Sequence, residues 1–154
     1  MNDNLEIINN SETLCLKNNE TGAIIGKHKL FGKKTVQYKR IGPNCNIIRE
    51  DEKNFPKDQK GFKANIYCLD DKFKIKWKIK MPMDDDSFPN PITWNKKAIE
   101  IKSQDGSFTL KVNDSPNTFI CKSLRGFTVT VNYLTGQTID IEFAKQNTLD
   151  RSNH

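Results

Sequence analysis

The chain has 154 residues, 25 Lys+Arg against 19 Asp+Glu, 35% hydrophobic residues and a mean hydropathy of -0.72. That length suits one domain able to bury a core without metal or disulfide staples. No window approaches the roughly 18 consecutive apolar residues of a membrane span, and the opening residues lack the basic start and apolar run of an export signal, so a soluble, cytoplasmic protein is expected.

Sixteen Ile against four Ala, with nine Phe, three Tyr and two Trp, favour pleated surfaces over helices. Short apolar runs at residues 5–8, 13–16, 23–25, 35–38 and 46–48 predict strands, with Leu14 and Leu16 on one face and Val36 and Tyr38 on another. Residues 49–63 hold nine charges, Pro56 and Gly61, which predicts an exposed loop. Asn65 to Leu69 reads as a strand and Asp70-Asp71 as a turn. Phe73, Ile75, Trp77, Ile79 and Met81 then alternate with Lys72, Lys74, Lys76, Lys78 and Lys80, which predicts one apolar and one lysine face. Asp84-Asp85-Asp86, between Pro82 and the pair Pro89 and Pro91, lacks the spaced ligands and glycine of a calcium loop and reads as a solvated connection.

Further strands are expected at 99–102, 108–112, 118–121, 127–133 and 139–143, with turns at 104–107, 113–117 and Thr135-Gly136. No segment holds a 3.6-residue period long enough for a helix. The expected fold is therefore all-β and mainly antiparallel: a single domain over 1–146, a β-meander that is propeller-blade-like or a sandwich, followed by a frayed tail at 147–154.

Chemistry-bearing residues are sparse. Cys15, Cys45, Cys68 and Cys121 lie 30, 23 and 53 residues apart in apolar settings, so they read as buried, reduced thiols rather than zinc ligands or a redox pair. His28 sits among Lys27, Lys29, Lys33 and Lys34 with no carboxylate nearby in sequence to orient it, and His154 is terminal. Phosphate loops, dinucleotide fingerprints and zinc-protease motifs are absent from the sequence. No enzymatic activity, cofactor or metal is expected.

The charge is localised, because residues 27–80 hold 16 Lys+Arg and 6 Asp+Glu. Lysines on one strand face stand about 6.6 Å apart at a rise of roughly 3.3 Å per residue. Such a row suits a solvated face that protects a sheet edge, a phosphate backbone or an acidic protein surface. The 21 Lys, 17 Asn and 16 Ile also fit A/T-rich codons, so lysine number alone carries little weight.

Two segments carry a family pattern: Asn65-Ile66-Tyr67-Cys68-Leu69-Asp70 running into Trp77-Lys78-Ile79, and Gly126-Phe127-Thr128-Val129-Thr130-Val131-Asn132-Tyr133-Leu134-Thr135-Gly136-Gln137. Over residues 62–144 the chain resembles small β-rich bacterial proteins found beside polymorphic toxins, some of them immunity proteins of contact-dependent growth inhibition. The resemblance implies a non-catalytic protein that neutralises a cognate toxin C-terminal domain, such as a nuclease, by covering its active site or an essential surface. At a net charge of +6 the toxin surface should be acidic. Lys74, Lys76, Lys78 and Lys80 are then the first candidate contacts and Asp84, Asp85 and Asp86 the second. The alternative is a nucleic-acid-binding accessory protein using the same lysine face.

Overall fold

The computed structural model describes residues 4–94, 101–102, 104, 106, 109–110 and 117–143; the proposed tail at 147–154 lies outside them. Among the described residues every regular element is a strand. The first sheet is β1 (Leu5–Asn10), β2 (Thr13–Asn18) and β3 (Ile24–Lys29). The second is β4 (Thr35–Gly42), β5 (Cys45–Glu50), β6 (Ile66–Leu69) and β7 (Ile75–Lys78), in that order. The short β8 (Thr93–Trp94) begins the third, and β9 (Ile101–Lys102) pairs separately with β10 (Thr109–Leu110). β11 (Thr118–Lys122), β12 (Phe127–Asn132) and β13 (Thr138–Phe143) complete the third sheet in the order β13-β12-β11-β8. All pairings are antiparallel. The expected all-β meander is therefore the observed fold, in its blade-like form: consecutive up-and-down sheets stacked face to face.

The second sheet is covered on both faces, which explains why β5 and β6 are buried without alternation. Ile47, Ile66, Cys68, Trp77 and Ile79 pack with Phe119, Cys121, Val129 and Val131 of the third sheet. On the opposite face Ile48, Tyr67, Leu69 and Phe73 pack with Ile7, Leu14 and Leu16 of the first. Each fully buried large apolar side chain contributes about 1.5–3 kcal/mol. All four cysteines are buried and free.

A repeated turn joins the last two strands of each sheet. The Asn18 side-chain oxygen accepts the N–H groups of Glu20 and Thr21, and Gly22 N donates to Asn18 O. Asn132 treats Leu134, Thr135 and Gly136 in the same way, and Asp70 does so with Lys72, Lys74 and Phe73 in a turn one residue shorter. Each turn is followed by the same register shift, after which Gly26, Trp77 and Asp140 face Leu16, Cys68 and Thr130.

These equivalent positions build the sheet-to-sheet contacts by swapping sizes. Gly136, at φ +80°, lies flat against the Trp77 ring, whose Nε1 donates to Tyr133 O at 3.0 Å. Between the first two sheets the turn supplies the large residue, Phe73, and the strand supplies the small one, Gly26. In the third sheet the docking position is Asp140, and the face shared by Thr128, Thr130, Asp140 and Glu142 is polar.

Two sequence expectations need correction. The ten-residue alternation over 72–81 breaks at the register shift between Cys68 and Leu69, so Phe73, at φ +61°, faces the first sheet while Trp77 and Ile79 face the third. The stretch 49–63 is not wholly exposed either: Arg49 and Glu50 end β5 and, with Phe55, are buried.

Candidate functional site

β7 is an outer edge strand, because β6 is its sheet neighbour on one side. Lys72, Lys74, Lys76, Lys78 and Lys80 are all exposed. They do not form one uninterrupted face. Lys76 Nζ reaches Asn44 O at 3.2 Å, whereas Lys78, opposite Tyr67, places Nζ 4.9 Å from the centre of the Phe31 ring toward the first sheet. Ile75 stands exposed between Lys74 and Lys76. The strand therefore offers a row of cations with an apolar contact inside it, on a sheet held rigid from both faces.

The acidic triplet is placed elsewhere and divides by burial. A polar network fixes the connection between the second and third sheets. Asn65 Nδ2 donates to Glu50 O and Phe88 O, and its Oδ1 accepts Phe88 N. Arg49 Nη1 donates to Pro89 O, and Gln37 Oε1 accepts both Arg49 Nε and Ile92 N. Held in this way, Asp84 is exposed. Asp85 is also exposed and bonds Lys57 at 3.0 Å and Arg125 at 3.2 Å, two cations that hold its carboxyl below the usual range. Asp86 is buried: its Oδ1 accepts Ser87 N and Arg125 N, while Oδ2 is buried with no hydrogen-bond partner. The lysine strand and the acidic loop are thus separate features.

A third cluster was hidden in the sequence. Glu50, fully buried, accepts Phe31 N at 3.0 Å, Gly32 N at 2.6 Å and the Tyr67 hydroxyl, and the Tyr67 hydroxyl oxygen lies 2.8 Å from His28 Nε2. A carboxylate only accepts, so Tyr67 donates to Glu50 and His28 donates its Nε2 proton to Tyr67. His28, which has no carboxylate near it in sequence, gains one through Tyr67. The chain latches the β3–β4 loop to β5 and β6. Phe31 seals it, edge-on to His28, Tyr67 and Phe55.

Burial lowers the His28 pKa below its ordinary 6.5, and burial together with the Glu50 carboxylate raises that of Tyr67. On acidification the unfolded chain therefore takes up its histidine proton first. Stability is lost as pH falls from the unfolded value through the lower folded one, and the difference is absent well above pH 7. His28→Gln is expected to flatten the melting temperature between about pH 7 and 5 relative to the parent, read by thermal scans across that window.

Among the described residues no group of three or more His, Cys, Asp or Glu is placed to hold a metal, and no helix is long and apolar enough to cross a membrane. No family model matches the chain, and no curated protein matches it in sequence. Among solved structures it is similar to BamB from Moraxella catarrhalis, with a TM-score of 0.51 and 13% identity over 90% of this chain and 33% of that one. The chain thus spans about a third of the length of that β-propeller protein, and the likeness is one of fold alone: antiparallel sheets packed face to face.

Proposed function

We propose that this protein is a non-catalytic, cytoplasmic binding module that docks an acidic surface of a partner protein on the lysines of β7. The partner that the sequence resemblance suggests is the C-terminal domain of a polymorphic toxin, making the chain an immunity protein. The observation that carries the reading is the exposure of Lys74, Lys76, Lys78 and Lys80 around exposed Ile75 on a rigid edge strand. Opposite charge accelerates encounter, and an apolar contact at the centre of a charged patch slows release. Nucleic-acid binding would use the same cations. The large rings on and opposite β7, Trp77 and Tyr67, are buried, and the exposed Phe31 ring beside it already carries the Lys78 ammonium at 4.9 Å.

The test is protection in cells. Bacteria expressing the toxin domain encoded next to this protein should survive with the parent chain, and Lys76→Glu with Lys78→Glu should lower survival at least tenfold at equal protein level. Full protection by that double variant would overturn the lysine assignment, and no protection by the parent would overturn the immunity reading.

A further inference from the structure

A groove of about 960 Å³ opens where the β5–β6 connection, the segment 83–87 and the β11–β12 turn meet Phe143 at the end of β13, away from the Asn132–Gly136 turn. Its wall carries Met83, Leu124 and Phe143, which are 41%, 68% and 45% exposed, beside Phe127, whose ring centre lies 4.9 Å from that of Phe143. A concave site that combines exposed apolar side chains with a few polar groups has the usual make-up of a ligand site. The size is that of a site holding several residues of a ligand rather than a single side chain.

The polar groups define the ligand further. Lys57, Lys63 and Arg125 line the groove with a single exposed acid, Asp85, which Lys57 and Arg125 already hold. Lys63 Nζ meets the neutral Glu52 carbonyl at 2.8 Å, so its charge remains available to an anion. Asp86, also on the wall, is only 2% exposed and its Oδ1 is taken by Ser87 N and Arg125 N, so Lys63 is the charged group left to meet a ligand.

We propose that this groove binds an extended peptide segment of a partner protein that carries an aromatic or aliphatic side chain next to a carboxylate. The apolar side chain rests on Leu124, Met83 and Phe143, and the carboxylate faces Lys63. The surface is distinct from β7 and does not depend on the lysine strand.

The test selects linear 12-residue peptides from a random phage-displayed library on the immobilised full chain and titrates the synthetic consensus peptide by fluorescence anisotropy. Aromatic or aliphatic residues adjacent to Asp or Glu should be enriched. Affinity should fall at least tenfold in Leu124→Glu and in Lys63→Glu, with Lys29→Glu on the first sheet unchanged as the charge control. Leu124 projects into solvent, so its variant should keep the parent circular dichroism and melting temperature. Failure to enrich any sequence over an unrelated immobilised β protein, enrichment of basic peptides, or equal affinity in folded Leu124→Glu would overturn the proposal.

Discussion

Gly136→Ala is expected to destabilise the fold by about 3–5 kcal/mol, while Gly22→Ala, in the equivalent turn of the first sheet, costs only about 1–2 kcal/mol. The two glycines share nearly the same backbone, φ +80° and +77°, so both substitutions carry the penalty of a left-handed conformation with a Cβ. They differ in what that Cβ meets. At Gly22 nothing lies within 4 Å, whereas at Gly136 the new carbon would stand 2.5 Å from Cγ of Trp77, a residue locked by its bond to Tyr133 O and by stacking on Phe119. With about 2–4 °C lost per kcal/mol for a chain of this size, Gly136→Ala should lower the melting temperature by roughly 10 °C. Trp77→Ala alone costs about 3–5 kcal/mol through its cavity. In the Trp77→Ala background the penalty of Gly136→Ala should shrink toward that of Gly22→Ala, because the ring contacts at 2.5 and 2.6 Å are gone and only the Cβ contact at 2.8 Å remains. Equal melting temperatures for Gly136→Ala and Gly22→Ala would show that the ring does not bear on the turn.

The second large effect is expected at Glu50. Replacing it by Ala leaves the N–H groups of Phe31 and Gly32 and the Tyr67 hydroxyl without their acceptor in a buried site. At about 1–3 kcal/mol for each unsatisfied group, a loss near 4 kcal/mol is expected, and urea denaturation measures it as a fall in midpoint at constant slope. Tyr67→Phe keeps the ring and the two backbone bonds and should cost only about 1–3 kcal/mol. If Tyr67→Phe proves the more damaging, the latch depends on the His28–Tyr67 contact rather than on the carboxylate that caps the loop.

Much of this architecture was legible where a single strand carries its own signal. The runs read at Asn65 to Leu69, Thr118 to Cys121, Phe127 to Tyr133 and Ile139 to Phe143 alternate or cluster as the sheets require, and strands occupy Ile66–Leu69, Thr118–Lys122, Phe127–Asn132 and Thr138–Phe143. The Thr135-Gly136 turn was legible for the same local reason. The repeat was harder to see because its middle copy, Asp70-Asp71-Lys72-Phe73, is one residue shorter and puts Phe where the others have Gly, so Asn18-x-x-Thr21-Gly22 and Asn132-x-x-Thr135-Gly136 stand 114 residues apart with no visible link. The register shift in β7 could not be read from a period-two pattern that the lysines happen to continue through the turn. The latch was illegible because Glu50 sits in a charged stretch and meets His28 only through Tyr67, 39 residues from that histidine. Asp86, in a run of three aspartates, likewise gave no sign that it alone turns inward.

The central functional claim is that the β7 lysines hold a protein rather than a nucleic acid. Its most direct test is affinity purification of tagged parent and Lys74→Glu/Lys76→Glu/Lys78→Glu/Lys80→Glu chains from the native host, at moderate salt after nuclease digestion, with quantitative mass spectrometry. The expected result is one large toxin-bearing protein recovered in equal amount with the parent and reduced at least tenfold with the variant, whose circular dichroism should match the parent because all four side chains are exposed. Recovery of nothing after digestion, with RNA or DNA present before it, would contradict the claim and make the lysine strand a phosphate-binding surface.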